Sequence, residues 1–224
     1  MHKVNIPKEI RDACMKRRGR LHVYDSLDAR STALVVIDMQ NSWLKPGMSS
    51  LEIPKARSIV GNINALARAI RSENGVVAWT QSTFPEDWTS RAYEGFGSSE
   101  WIKGAISDTA IGSPGFQIYD KLDWREGDIT VTKTRPSAFI QGSSKLESEL
   151  RARGCDTIVI TGTLTNACCE SSARDAAALG FRVVFASDGT ATRTDIEHNA
   201  ALINLMQLVA DVRTTEEIIE CLEG

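Results

Sequence analysis

The stretch that decides the fold is DTIVITGTLTNACCESSARDAAALGFRVVFAS, residues 156–187. Its ends, DTIVIT (156–161) and RVVFAS (182–187), are short apolar runs that predict buried strands, and residues 166–179 between them predict a helix. Two strands joined through a helix form a parallel crossover unit. We therefore expect a parallel sheet with helices packed on both faces.

The same alternation of strands and helices continues outward from this unit. The patterns predict further strands at 33–38, 75–80, 128–133 and 210–213, and further helices at about 53–73, 142–153 and 195–208, with a last helix after 213. Residues 1–30 precede the first strong strand and predict a charged helical arm, for which a neighbouring subunit is one candidate docking surface. Residues 31–224 are then a single domain.

One long segment, 81–127, interrupts the alternation. It is rich in Gly, Ser, Trp and Asp, and it carries the aromatic residues Phe84, Trp88, Tyr93, Phe96 and Trp101. Long excursions in compact domains are usually functional or disordered, and the aromatic residues argue against disorder. We interpret the segment as a substrate lid; the alternative is an ordered excursion that merely packs on the sheet.

Composition excludes several classes of protein. The chain has 224 residues, 42% of them hydrophobic, which suits one well-buried domain. Its 26 basic and 29 acidic residues are mixed along the chain and give a net charge of −3, so nucleic acid is not an expected partner. No apolar run approaches the roughly 20 residues of a membrane span. Five cysteines without CxxC spacing favour a reducing, cytoplasmic setting.

Two adjacent cysteines open the helix at 166–179. Cys169 shares a helical face with Ala173, Ala176 and Gly180, a strip of small residues suited to packing on the sheet. Cys168 points about 100° away from that face, toward the end of the preceding strand. In the first helical turn, the unpaired N–H groups and the helix dipole favour a thiolate. Cys168 is therefore our candidate nucleophile, and Cys169 a core residue.

Partners for Cys168 are expected at the carboxyl ends of other strands, where open parallel sheets bind their ligands. Asp38 ends the apolar run VVID, and Lys133 ends DITVTK. A poorly solvated carboxylate needs a counter-charge, which the ammonium of Lys133 would supply. Asp38 would accept the thiol proton of Cys168, while Lys133 keeps Asp38 ionised.

These roles describe the hydrolysis of a carbonyl compound. The thiolate of Cys168 would attack the carbonyl carbon, and the backbone N–H groups of Leu164 and Cys168 would stabilise the oxyanion. An amine would leave, and water would then hydrolyse the thioester. The substrate would be a small molecule.

Little in the sequence indicates a catalytic histidine, a metal site or a nucleotide-binding site. His198 lies in the helix at 195–208, and we interpret it as structural; His2 and His22 lie in the arm. No group of His, Cys and carboxylate residues has metal-ligand spacing, and no glycine-rich phosphate loop is present. We expect neither a metal nor a cofactor.

The segments ALVVIDMQN (33–41), VTKTRPSAF (131–139) and TGTLTNACCESSARDAAALGFRVVFASDGTAT (161–192) together resemble the isochorismatase-like cysteine hydrolase family. The resemblance covers about residues 32–213. It implies a three-layer α/β/α fold with a six-stranded, parallel, doubly wound, Rossmann-like sheet. It also implies the catalytic set Asp38, Lys133 and Cys168, a cis peptide bond at Thr163–Leu164, and assembly into dimers or tetramers.

Within that family, the residues are most similar to ureidoacrylate-type amidohydrolases. Nicotinamidases carry metal-binding Asp and His residues near the second strand, where this chain has WTQSTF (79–84). A cysteine at the nucleophile position favours an amide, ureido or carbamoyl bond over a vinyl ether. Substrate contacts are expected from the residues that follow the strand ends, namely Gln40, Asn41, Trp79, Gln81, Arg135, Ser137 and Phe139. Arg135 would suit an anionic substrate.

Two other readings of the function stay open at this point. The enzyme could hydrolyse a different bond, such as an ester, a lactam or the vinyl ether of isochorismate. The chain could also be a catalytically silent binding or assembly subunit, although the intact Asp38, Lys133 and Cys168 set argues against silence.

Overall fold

The computed structural model describes residues 1–223, which form one parallel sheet and the helices around it. The strands are β1 (Thr32–Ile37), β2 (Val76–Ser82), β3 (Ile129–Lys133), β4 (Thr157–Thr163), β5 (Arg182–Ala191) and β6 (Asp211–Arg213). The helices are α1 (Lys8–Arg18), α2 (Asn41–Leu44), α3 (Val60–Ser72), α4 (Glu86–Ala92), α5 (Ser99–Asp108), α6 (Leu146–Ala152), α7 (Glu170–Ala178), α8 (Asp195–Leu208) and α9 (Thr215–Glu223).

The sheet has the order β3-β2-β1-β4-β5-β6, and every neighbouring pair is parallel. β1 is buried along its whole length because it lies at the centre of the sheet. Its alternate residues enter two separate cores, one shared with α3 and α9 and the other with α6, α7 and α8. These observations confirm the predicted three-layer α/β/α fold. The strand order reverses between β1 and β4, where a ligand crevice is expected.

The structure differs from the predicted elements in several places. The helix predicted at about 53–73 begins as a 3-10 turn, Pro54–Ile59, and the one predicted at about 142–153 is the shorter α6. Residues 81–127 contain two helices, α4 and α5, so the lid segment is an ordered helical excursion. The helix that carries the cysteines opens with a π-helical turn, Thr165–Cys169, before it continues as α7. Such widened single turns are frequent at functional sites.

The N-terminal arm packs on its own chain. Cys14 of α1 is fully buried, and Arg18 donates to the carbonyl of Met206 near the end of α8 at 3.1 Å. The arm therefore has an intrachain docking surface. No helix within residues 1–223 has the length and apolar character that a membrane crossing requires.

Gly162 allows the close approach of β4 to β1 just before the cysteine turn. Its φ of +108° is a conformation that L side chains rarely adopt, and an added Cβ would lie 2.1 Å from the carbonyl oxygen of Ile37. The register of β4 against β5 also shifts between Ile160 and Gly162. This glycine fixes the path of the chain into the turn that bears Cys168.

Candidate active site

Three side chains from three strand ends meet at the reversal of the sheet. Lys133, the last residue of β3, places Nζ 2.8 Å from Oδ2 of Asp38, which follows β1. The same Nζ lies 3.4 Å from Sγ of Cys168, in the turn after β4. The residues proposed from the sequence as base, counter-charge and nucleophile thus form one contiguous group.

Lys133 is held as an ammonium ion inside the protein. Its side chain is fully buried, and Nζ donates to the carbonyl of Arg135 at 2.9 Å and to Oγ of Ser82 at 3.3 Å. Burial opposes the charged form, but the negative charge of Asp38 outweighs it and raises the pKa of Lys133. The lysine therefore supplies a fixed positive charge rather than a proton.

The two carboxylate oxygens of Asp38 have different partners. Oδ1 accepts a hydrogen bond from Oγ1 of Thr80 at 2.8 Å. Oδ2 lies 2.8 Å from Nζ of Lys133, its ion-pair partner. The backbone of Asp38 has a left-handed φ of 53°, an uncommon conformation that clusters at functional sites. The carboxylate is thus held between Thr80 and the buried ammonium.

Cys168 carries its proton in this environment. Burial raises the pKa of its thiol to about 12; the charge of Lys133 lowers it, whereas that of Asp38 raises it. We expected the helix N-terminus to favour the thiolate; burial and the carboxylate of Asp38 act in the opposite direction. A base must take the proton before Cys168 can act, and Asp38 contacts the same ammonium.

The two cysteines differ in exposure as the helical spacing predicts. Cys168 is partly accessible, whereas Cys169 is fully buried and its Sγ donates to the carbonyl of Thr161 at 3.8 Å. Burial also raises the pKa of Cys169 well above its ordinary value. Only Cys168 can meet a substrate.

The turn around Cys168 has the local geometry that the family resemblance implies. The Thr163–Leu164 peptide bond is cis. The carbonyl of Leu164 accepts the N–H groups of Ala167 and Cys169, both at 3.1 Å. These bonds close the turn that presents Cys168.

Two of the residues expected to contact substrate lie in the core instead. Trp79 is 1% exposed, and its indole N–H donates at 2.8 Å to Asp128, which precedes β3 at the end opposite Lys133. Phe139 is buried against the ring of Phe181 at 5.6 Å. The two residues are therefore core residues and not substrate contacts. Burial in the core stabilises an aromatic side chain more than a position at the crevice would.

Three polar residues of the expected set tie the lid segment to the sheet. Gln40 is fully buried; its amide donates to the carbonyls of Ser82 and Phe116 and accepts the N–H of Ser82 at 2.6 Å. Gln81 also donates to Phe116, at 2.8 Å, and Asn41 donates to Pro114 at 3.0 Å. Their amide N–H groups satisfy backbone carbonyls. For Gln40 this corrects the assignment outright, because its amide oxygen is occupied as well.

Gln40→Leu is expected to lower the free energy of unfolding by about 2 kcal/mol, because it leaves buried backbone groups of β2 and the lid segment unpaired. Urea denaturation would measure the loss. Gln141→Leu, a matched change at an exposed glutamine, should stay within about 0.5 kcal/mol of the native chain. Equal stability of both variants would contradict this assignment of Gln40.

Arg135 and Ser137 do border open space. The guanidinium of Arg135 lies 4.7 Å from the ring centroid of Trp88 in α4, and the two residues line a cavity of about 510 Å³ together with Arg91. A second cavity, of about 480 Å³, lies between Trp88, Arg135 and Ser137. The two cavities lie beside the loop that follows Lys133, and basic side chains dominate the first.

The sequence did not single out two buried residues at α4. Burial raises the pKa of Tyr93, and the charges of Asp38 and Lys133 also act on it. Thr89, one helical turn earlier in α4, is fully buried, and its hydroxyl has no hydrogen-bond partner within residues 1–223. The aromatic residues of 81–127 were the available signal, but they could not show which one turns inward.

The lid aromatic residues form a cluster around Tyr93. Its ring centroid lies 6.0 Å from Phe84, 5.8 Å from Trp88 and 5.4 Å from Trp101. Phe96 is the exception, because it is 88% exposed. The cluster packs α4 and α5 against each other and against the residues that follow β2.

Two further features of the chain concern a catalytic histidine and a metal site. His198 is buried, with one ring nitrogen bonded to Thr165 and the other to the carbonyl of Ser187, which suits a structural role. Across residues 1–223, no three His, Cys, Asp or Glu side chains come close enough together to hold a metal ion.

A three-layer α/β/α fold that joins a cysteine, a carboxylate and a buried lysine at the reversal of its sheet is the architecture of a cysteine hydrolase. Comparisons with known proteins narrow this class. The family model described as the Isochorismatase domain matches residues 32–217. The chain belongs to the isochorismatase family.

Individual relatives agree with this membership. The chain is 31% identical over 201 residues to the uncharacterized isochorismatase family protein YwoC of Bacillus subtilis, covering 87% of this chain and 96% of that protein. It is 31% identical over 208 residues to the ureidoacrylate amidohydrolase RutB of Caulobacter vibrioides, covering 85% and 91%. A crystal structure of a cysteine hydrolase from Pseudomonas syringae pv. phaseolicola superposes with a TM-score of 0.80 at 25% identity, covering 91% and 97%.

Proposed function

We propose that the protein is a cysteine-dependent amidohydrolase that cleaves a C–N bond of a small amide, ureido or carbamoyl compound. The observation that carries the proposal is the contact of one buried ammonium, that of Lys133, with both the carboxylate of Asp38 and the thiol of Cys168. The relative named as a ureidoacrylate amidohydrolase supports the C–N bond as the target.

The first half of the reaction makes a covalent intermediate. Asp38 accepts the thiol proton, and Sγ of Cys168 forms a bond to the substrate carbonyl carbon. The backbone N–H groups of Leu164 and Cys168 stabilise the negative oxygen of the tetrahedral intermediate. Asp38 then returns the proton to the substrate nitrogen, the C–N bond breaks, and ammonia or an amine leaves.

The second half regenerates the enzyme. Asp38 removes a proton from water, whose oxygen attacks the thioester, or its thiocarbamate counterpart when the substrate is a ureido compound. The C–S bond breaks, an acid or a carbamate leaves, and the proton returns to Sγ. Throughout the cycle, Lys133 compensates the charge as it moves between Asp38 and Cys168.

Residues around the cavity near Arg135 would choose the substrate. Arg135 and Arg91 place two positive charges beside the cavity, against the single negative charge of Asp87, and this balance suits a substrate with a carboxylate. The ureidoacrylate of the relative's name is such a compound. Tyr93 and Thr89 would close over the reacting group from the lid.

The test is a panel of paired substrates: ureido, carbamoyl and primary amide compounds, each with and without a carboxylate. Ammonia release and carbon dioxide from carbamate would be measured together, and the covalent intermediate would be trapped by acid quench and mass spectrometry. Hydrolysis of at least one pair, with a mass increase on the peptide that contains Cys168, is expected. Turnover of esters alone, assayed beside the panel, would overturn the C–N proposal.

Arg135→Gln is expected to raise KM by roughly tenfold for the substrates with a carboxylate and to leave KM unchanged for their uncharged counterparts. The reason is the loss of a charge-assisted hydrogen bond. Arg151→Gln is the matched control, because Arg151 also stacks on an aromatic ring, that of Phe181, at 3.7 Å. Steady-state kinetics would measure the split, and an equal change for both substrate types would contradict it.

A further inference from the structure

The N-terminal segment packs beside the turn that carries Cys168. The side chain of His2 is 1% exposed, and its ring stacks on that of His198 with centroids 4.2 Å apart and planes 9° apart. The contact is a tertiary one, because His2 and His198 are separated by most of the sequence. We refer to His2 and His198 as the histidine pair.

Two hydrogen-bonded routes join the histidine pair to the cysteine turn. In the first, Nε2 of His2 accepts the backbone N–H of Thr192 at 3.0 Å, and the hydroxyl of Thr192 donates to Asn166 at 2.6 Å. In the second, Nδ1 of His198 bonds to the hydroxyl of Thr165 at 2.9 Å. Thr165 and Asn166 open the π-helical turn that ends at Cys169.

The partners fix where each proton lies. Because Nε2 of His2 accepts from a backbone N–H, its Nδ1 carries the proton and donates to Asp195 at 2.7 Å. Nε2 of His198 faces the carbonyl of Ser187 at 3.0 Å and must donate, so Nδ1 accepts from Thr165. Both rings are therefore neutral. A second proton on His2 would face the Thr192 N–H donor directly.

The charged groups around the pair also oppose protonation. Asp195 of α8 and Lys55, which lies before α3, contact each other and both approach Nδ1 of His2. Burial lowers the pKa of His2, and burial with the neighbouring His2 ring lowers the pKa of His198 to about 4. Both histidines ionise near pH 6.5 in the unfolded chain. The stability that the neutral histidine pair contributes is therefore complete above that pH and declines as the pH falls below it.

We infer that His2 is a positioning residue for the nucleophile: through Thr192–Asn166 and through His198–Thr165, it holds the turn that aims the thiol of Cys168. His2 touches neither the thiol nor Asp38 and acts only through the turn. The inference rests on the proposed function in one respect, that Cys168 is the reacting thiol.

The experiment measures the rate at which iodoacetamide alkylates Cys168, because this readout needs no substrate. Fragment-ion mass spectrometry would separate Cys168 from Cys169. The variants are His2→Ala, His2→Phe, which keeps the stacked ring without its acceptor, and Lys3→Ala, a matched control at an exposed neighbour. Urea denaturation of each variant would be run in parallel.

The expected result is a roughly tenfold slower alkylation of Cys168 in both His2 variants at pH 8, with Lys3→Ala at the native rate. Added imidazole should restore His2→Ala, which leaves a ring-sized space, and should not restore His2→Phe. The ratio of native to His2→Phe rates should fall toward one as the pH drops through the lowered pKa of His2, which lies below 6.5. Once a substrate is known, the two His2 variants should show a lower kcat and an unchanged KM.

Native alkylation rates in both His2 variants, whatever their stability, would overturn the inference and leave His2 as a structural contact. A tenfold loss that imidazole does not restore and that the pH does not change would also overturn it. Failure of the proposed function would look different, because the native chain would then release no ammonia or amine from the C–N substrates, whatever the alkylation rate of Cys168.

Discussion

Cys168→Ala is expected to remove hydrolysis by at least about 10³-fold, whereas Cys169→Ala keeps most of the native rate. The structure gives the reason for the difference between two adjacent and identical side chains. Cys168 is partly accessible and contacts the ammonium of Lys133, while Cys169 is fully buried and donates to the backbone of β4. Without the thiol of Cys168, no covalent intermediate can form.

The measurement is kcat/KM of both variants on the best substrate of the panel, with trapping of the covalent intermediate. Cys169→Ala serves as the control for the loss of a sulfur atom in the same turn. It should unfold at a slightly lower urea concentration because it leaves a small cavity. Equal loss of activity in the two variants would show that the turn needs both cysteines for its shape, and would remove the assignment of Cys168 as nucleophile.

Asp38→Asn is expected to lower kcat by roughly 10⁴-fold and the free energy of unfolding by about 3–5 kcal/mol. The loss of activity follows from the loss of the base that deprotonates a thiol whose pKa is about 12. The loss of stability follows from Lys133, which is fully buried and would keep an uncompensated charge. Both effects come from one carboxylate because it serves the ammonium and the thiol together.

Two controls separate these effects. Adding Lys133→Met to Asp38→Asn removes the buried charge, so the double variant should recover much of the lost stability and none of the activity. Alkylation of Cys168 in Asp38→Asn should not fall in parallel with kcat, because the charge of Asp38 raises the pKa of the thiol. A parallel fall of alkylation and kcat would mean that Asp38 shapes the site and does not act as the base.

The packing of residues 81–127 is not contained in any local pattern. The sequence of this segment indicated an aromatic, functional excursion, and the structure shows two helices, with Thr89 buried in α4 and Tyr93 at its end. Helices of seven and ten residues are too short for a strong periodic signal. Their packing on Phe84 and Trp101 stabilises them.

The sequence by itself determined the parallel sheet and the order of strands and helices along the chain. It also determined the three residues that meet where the strand order reverses. Apolar runs and helical spacing are local properties, and the end of a buried strand is a fixed place in a parallel sheet, so Asp38, Lys133 and Cys168 could be placed before any contact was known. The same helical spacing separated Cys168 from Cys169.

Only the tertiary structure decided what the polar and aromatic neighbours do. Gln40 and Trp79 lie within or beside strands as predicted, yet their hydrogen bonds go to a lid carbonyl and to Asp128, partners far away in the chain. Burial, Lys133 and Asp38 shift the pKa of Cys168, and these tertiary contacts are not visible in the sequence. His2 reaches the cysteine turn across most of the chain. Such pairings depend on which surfaces the fold brings together, and a local pattern carries no information about them.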